Sequence, residues 1–337
     1  MKAYVLEDIN KLVYKDVDIP KCSRGWALVK VKASGICSSD IPRIYKKGTY
    51  HFPTIPGHEF SGIVESVGDE KDKKYIGKKV GVFPLIPCRK CIQCLNKHYE
   101  MCSNYDYIGS RRDGGFSEYV SVPIWNLIEL NDNIDFIEAA MLEPISVALH
   151  AIKQGKIKQG DSVGIIGTGM IGFAAAQWAK KMGAGEVAII GRSKLKKEYA
   201  DKLDINYLVT NSVKEEFDIV LEAVGSGQAV DLAINITKAG GTLILMGNPT
   251  GDILLSQNTY WRILRKQISI IGTWNSFYEH GERCDWSEAV EALQNNEIRV
   301  KHLISHKFDQ EHLVNGLELM LKHNEPYCKV MTIWNEE

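Results

Sequence analysis

Up to about residue 149 the chain sets short apolar runs between glycines and prolines. Residues 27–31, 62–68, 79–83 and 116–120 are rich in Val, Ile, Phe and Tyr and show little helical periodicity. That pattern predicts a compact, partly closed β domain. From about Ile157 the pattern changes to strand alternating with helix. Apolar strands are expected at 161–166, 186–190, 217–221, 241–246 and 268–272, with a helix of small and apolar residues over 173–182. This order is that of a doubly wound parallel sheet. The tail reads as helix 287–295, strand 304–308, helix 310–322 and strand 328–334.

With 337 residues, two domains are the natural expectation. A net charge of -1 provides no basic footprint for nucleic acid or an anionic membrane. The first residues reach Glu7 and Asp8 without an apolar signal segment. The longest uncharged stretch, 162–179, is broken by glycines and holds Gln177, so it reads as strand, turn and buried helix rather than a membrane span. A cytoplasmic enzyme is the expectation.

Chemistry enters with residues 35–62. Cys37, with Ser39 and Asp40 just behind it, is followed by Gly57-His58-Glu59-Phe60-Ser61-Gly62. Thiolate, imidazole and carboxylate together form a mixed ligand set for zinc. Catalytic zinc sites use three such ligands and keep a fourth position open. Taken singly, these residues would be a buried thiol, a core histidine and a surface charge.

Eight cysteines without a secretory signal point to metal or catalysis rather than disulfides. Four of them, Cys88, Cys91, Cys94 and Cys102, have the spacing that closes a tetrahedron of thiolates around one ion. This second metal reads as structural zinc, because a closed site leaves no position for substrate. An iron–sulfur cluster uses the same ligands. A nucleic-acid-binding zinc module also uses four cysteines, but neutral charge and the enzyme-sized remainder argue against it.

Between an expected strand and an expected helix lies Gly167-Thr168-Gly169-Met170-Ile171-Gly172. In that setting the glycines let backbone approach a pyrophosphate at the helix amino end. The second strand then ends Ile190-Gly191-Arg192-Ser193-Lys194, with no carboxylate for the ribose 2′-hydroxyl of NAD. Arg192 and Ser193 suit a 2′-phosphate, so NADP is favoured and NAD is the alternative. Glu143-Pro144 opens a further helix, where the dipole favours a carboxylate.

Across essentially the whole chain these features resemble the zinc-dependent medium-chain dehydrogenases. The resemblance rests on the 57–62 signature, the four-cysteine lobe and the 167–172 loop in the family's order. Cys37-Ser-Ser-Asp-Ile-Pro-Arg43, residues 107–119 and Glu143 to His150 place it in the polyol branch, nearest its hexitol-phosphate enzymes. The resemblance implies a GroES-like catalytic domain (1–148 and 283–337) and a Rossmann domain (149–282), joined by a groove where zinc and nicotinamide meet. It implies a catalytic zinc on Cys37 and His58, with Glu59 and Glu143 as ligands that alternate with water or substrate. It also implies a proton relay beginning at Ser39, nucleotide contacts at Val224, Gly247 and Thr273, and a dimer or tetramer. The relay histidine of many relatives is replaced by Pro42, and Gly191-Arg192 replaces the usual acidic discriminator. The expected substrate is a polyol or polyol phosphate, with Arg43, Arg111, Arg112 and Trp274 as candidate contacts. A protein that kept the fold and bound nucleotide without catalysis is the reading from another class.

Overall fold

The computed structural model describes residues 1–334; the last three positions of the expected catalytic domain, 335–337, lie outside the described residues. The chain forms two compact units: 1–143, 277–294 and the chain from 304 make one, and 144–276 with 295–303 make the other.

In the first unit the long strand Trp26–Ile36 is the centre. It pairs antiparallel with Glu59–Val67, with Lys329–Ile333 and with Tyr119–Pro123. The sheet continues through Lys79–Val82 to Leu127–Glu129 on one side and through Ile304–Asp309 on the other. The tail strand expected at 328–334 therefore lies directly beside the strand that leads into Cys37. Val29, Val31, Val64, Val80, Val120 and Val330 are among the fully enclosed residues of its core. Such β-branched side chains suit a half-buried pleated surface. The run expected at 116–120 starts its strand later, at Tyr119, because Ser117 Oγ donates to the carbonyls of Gly114 and Tyr119 and ties a local turn. A hairpin of Lys2–Asp8 and Lys11–Asp16 precedes all of this.

The second unit is a six-stranded, wholly parallel sheet. Its order is Asn206–Val209, Glu186–Gly191, Ser162–Ile166, Phe217–Glu222, Thr237–Leu245, Ser269–Gly272. The third, second and first strands in chain order thus lie on one side and the fourth to sixth on the other. The reversal between Ser162–Ile166 and Phe217–Glu222 is the switch point at whose carboxyl end such sheets bind dinucleotides. Ser162–Ile166 is buried throughout, as a central parallel strand must be. Residues 295–303 belong here because the Gln177 amide both donates to the Arg299 carbonyl (3.2 Å) and accepts its N–H (2.7 Å). Helices Gly227–Ile236 and Gln257–Lys266, capped by Ser226 and Ser256, complete the unit. No helix among the described residues is long and apolar enough to cross a membrane.

Candidate active site

Cys37 follows the end of the central strand, and Glu59 opens its neighbour with His58 just before it, so antiparallel pairing brings them together. One ligand atom from each of Cys37, His58 and Glu59 lies within 4.8 Å of the others. His58 and Glu59 are only 4% and 2% exposed. The fully buried Asp40 organises the group. It accepts from the Cys37 amide (3.0 Å) and from Arg43 Nη1 (2.8 Å), and its Oδ1 stands 3.5 Å from His58 Nδ1. Burial works against the charged imidazolium, but Asp40 and Cys37 beside it hold the His58 pKa well above its ordinary value. The same pairing with His58, helped by Arg43, keeps Asp40 below its ordinary value despite burial. Ser39 Oγ donates to Cys37 Sγ at 3.3 Å.

Glu59 is met by a residue that the sequence did not point to. Lys329 Nζ pairs with Glu59 Oε2 and donates to the Ile36 carbonyl at 3.0 Å, all within the buried interior. Gly35 makes room for this pair: a Cβ there would sit 2.4 Å from Glu59 Oε2 and 2.7 Å from Lys329 Cε. Glu143, in the first turn of helix Leu142–Gln154, is not one of the converging trio. Its Oε1 accepts from Tyr107 OH at 3.3 Å, and burial pushes its pKa up to about 7, against the pull of nearby His58.

The arginines considered for substrate all have partners in the protein. Arg43 is tied to Asp40. Arg111 lies between the rings of Tyr50 and Tyr105, 4.2 and 4.4 Å from their centroids, and donates to the Tyr105 carbonyl. Arg112 pairs with Asp106 and covers Trp26. Trp274 belongs to the other unit and is half exposed.

The trio fits zinc by its chemistry and by its placement. The donors combine thiol, imidazole and carboxylate, and they converge in the buried interior.

In the lobe, Cys88, Cys91, Cys94 and Cys102 place their sulfurs within 4.8 Å of one another, and none is in a disulfide. Amides of Cys94 and Ser103 hold the Cys91 thiol down to about 5, while burial pushes Cys94 up to about 12. Tyr99, Tyr105 and Trp125 pack around them. Four convergent sulfurs without an S–S bond are the donor set of a closed metal site.

In the second unit the 167–172 loop joins strand Ser162–Ile166 to helix Met170–Lys181, with Gly169 at the helix entrance. No atom lies within 4 Å of where a Gly169 side chain would begin, so its backbone is open to a ligand. Gly191 ends the second strand with no room for a side chain, because a Cβ there would lie 2.1 Å from Tyr207 OH. That hydroxyl donates to the Ser193 carbonyl at 2.6 Å, which fixes the turn carrying exposed Arg192 and Ser193. At the neighbouring strand ends, Val224 is half exposed and the buried Thr273 Oγ1 has no partner. Glu222, 1% exposed, accepts from the amides of Val224 and Gly225 at 2.8 Å each, and a Cβ on Gly247 would meet its carboxylate. These features fit a dinucleotide.

Comparison with known proteins agrees over both units. The family pattern of the alcohol dehydrogenase GroES-like domain matches residues 23–132, and that of the zinc-binding dehydrogenases matches residues 171–295. The chain is 34% identical to galactitol 1-phosphate 5-dehydrogenase of Escherichia coli K12 over 310 residues, covering 88% of this chain and 90% of that protein. The crystal structure of the galactitol-1-phosphate dehydrogenase of E. coli superposes with a TM-score of 0.91 at 33% identity, over 99% of this chain and 100% of that one. A Sinorhizobium meliloti structure bound to NADP superposes with a TM-score of 0.89 at 27% identity, over 98% of each chain. Likeness of this extent across both units shows what the converging thiol, imidazole and carboxylate suggested: the chain belongs to the zinc-dependent medium-chain dehydrogenases and is an enzyme of the alcohol dehydrogenase type.

Proposed function

We propose that the protein transfers hydride between a polyol or polyol phosphate, resembling galactitol 1-phosphate, and NADP(H), using one catalytic and one structural zinc. The observation that carries the proposal is the convergence of Cys37, His58 and Glu59 beside a half-buried Glu143. When bound, zinc supplies Lewis acidity toward an alcohol oxygen and the nicotinamide supplies the hydride acceptor. Asp40 aligns His58 and the Cys37 backbone, and Arg43 fixes Asp40. Ser39 Oγ, partly exposed beside the thiol, is the group that first moves the substrate proton outward. With Pro42 behind it, that proton passes to solvent rather than to a histidine. Arg192 and Ser193 take the 2′-phosphate, and the backbone at Gly167 to Gly172 takes the pyrophosphate.

The 34% identity to a hexitol-phosphate enzyme supports the phosphorylated substrate. A second reading, an unphosphorylated hexitol, is favoured by Arg43, Arg111 and Arg112 each being engaged within the protein. Initial rates with a hexitol and its 1-phosphate, each with NADP and with NAD, separate the readings. Turnover of the phosphate alone supports the first. Turnover of the free hexitol alone makes the three arginines structural. For the cofactor, kcat/KM is expected to favour NADP by roughly tenfold or more, since the extra phosphate gains charge-assisted hydrogen bonds worth about 1.5–3 kcal/mol; a preference for NAD removes the roles of Arg192 and Ser193.

Cys94→Ser is expected to cost one zinc and to open the 88–102 lobe to limited proteolysis, since Cys94 is a buried member of the sulfur cluster. A lobe as protease-resistant as before, with zinc undiminished, would contradict a structural metal there. The chain is further expected to form a dimer or tetramer. Strand Ser269–Gly272 is a sheet edge with Ile270 exposed and no charged or proline guard, which is the kind of edge that pairs with another copy. A monomer in sedimentation equilibrium would refute this.

A further inference from the structure

We propose that Tyr107 is a latch that holds Glu143 off the catalytic metal, so that the site keeps a position for substrate. The inference rests on the zinc site proposed for Cys37, His58 and Glu59. Two carboxylates accompany the thiol and imidazole, but only Glu59 converges with them. If Glu143 also closed on the ion, four protein ligands would complete a tetrahedron, which is the arrangement of a structural rather than a catalytic site. Among the described residues, the hydrogen bond made by the Glu143 carboxylate is the one it accepts from Tyr107 OH, at 3.3 Å. No ion pair of Glu143 competes with it among those residues.

Tyr107 is built to hold its place. Its strand, Asp106–Tyr107, pairs with Leu85–Ile86. Its carbonyl accepts the amides of Ser110, Arg111 and Arg112 at 3.3, 2.9 and 3.1 Å. Its ring meets His58 edge to face at 5.8 Å and Tyr105 at 6.0 Å. Arg111, pressed between Tyr105 and Tyr50, braces that arrangement from behind. The hydroxyl is therefore a fixed donor, and Glu143 meets it from the first turn of its helix. This makes Tyr107 a positioning residue. It acts on the metal through Glu143, with the Arg111 turn bracing it.

The test uses the full-length protein loaded with cobalt(II) in place of zinc. Absorption bands that disappear in Cys37→Ser isolate this site from the four-cysteine lobe. Tyr107→Phe keeps the ring against His58 and removes only the donor. Its cobalt bands are expected to shift as Glu143 joins the ion, and metal loss to a chelator should slow by roughly tenfold, the scale on which surrounding groups alter a site's affinity. In Tyr107→Phe/Glu143→Gln both changes should vanish. Glu143→Gln alone, which still accepts from Tyr107, should keep the wild-type bands and retention, and this arm stands even if Tyr107→Phe folds poorly. Unchanged or faster metal loss in Tyr107→Phe, or a shift that persists in the double variant, overturns the latch. If no band depends on Cys37, the zinc-site reading itself has failed, which is a separate result.

Discussion

His58→Ala is expected to lose the catalytic zinc and at least about a thousandfold in turnover, because Lewis-acid stabilisation is worth several kcal/mol. The loss should be local. Asp40 would keep Arg43 and the Cys37 amide as partners, so removing the imidazole orphans no buried charge. Metal analysis should show one equivalent of zinc missing and the lobe metal retained. Ser39→Ala gives the contrast: slower turnover with zinc in place. Full turnover in zinc-free His58→Ala protein would end the account.

The same histidine sets a pH dependence. In the metal-free protein Asp40 and Cys37 raise its pKa above the ordinary 6.5, against the effect of burial. Zinc must displace that proton. Zinc affinity should therefore climb as pH rises through the raised pKa and fall as pH drops below it. Chelator titration at a series of pH values would show it.

What could be read from the chain was what is local. The apolar runs marked five of the six parallel strands in order, because the central strands of a doubly wound sheet are buried on both faces; the sixth, Asn206–Val209 at the sheet edge, is largely unburied and was not among them. The glycine loop was legible because strand, glycines and helix follow one another directly. Cys37, His58 and Glu59 stood out because their strands are neighbours in sequence as well as in space. Lys329 did not. It lies 270 residues from Glu59 and meets it through strand pairing that no short window contains. Tyr107 was visible only as part of a family motif, since its hydroxyl reaches Glu143 across 36 residues. The attachment of residues 295–303 to the nucleotide unit depends on Gln177, 122 residues from Arg299. Arg43 is a different case. An acid and a base three apart at the start of a helix form a common pair, and Asp40 to Arg43 has that spacing. The signal for an internal partner was present beside the one for phosphate.

Lys329→Met should be the most destabilising single change at this site, and its size should depend on metal. Lys329 and Glu59 are both at least nine-tenths buried and face each other inside the sheet. Removing one member of such a pair strands the other charge and costs about 3–5 kcal/mol. Methionine keeps the volume, so a cavity would not account for the loss. In zinc-free protein Glu59 would have no cation, and the full cost should appear in denaturant unfolding. With zinc bound, the ion supplies positive charge to the same carboxylate, and the cost should shrink. Burial would lower the Lys329 pKa, but Glu59 and Cys37 more than reverse this and hold it above 10.5. The stabilisation should therefore be complete below pH 10.5 and disappear only as pH rises through the higher folded-state value. Equal losses with and without zinc would mean that Glu59 is not a metal ligand and that Lys329 alone balances its charge. A loss of less than about 1 kcal/mol in zinc-free protein would mean that the buried pair contributes little to the fold.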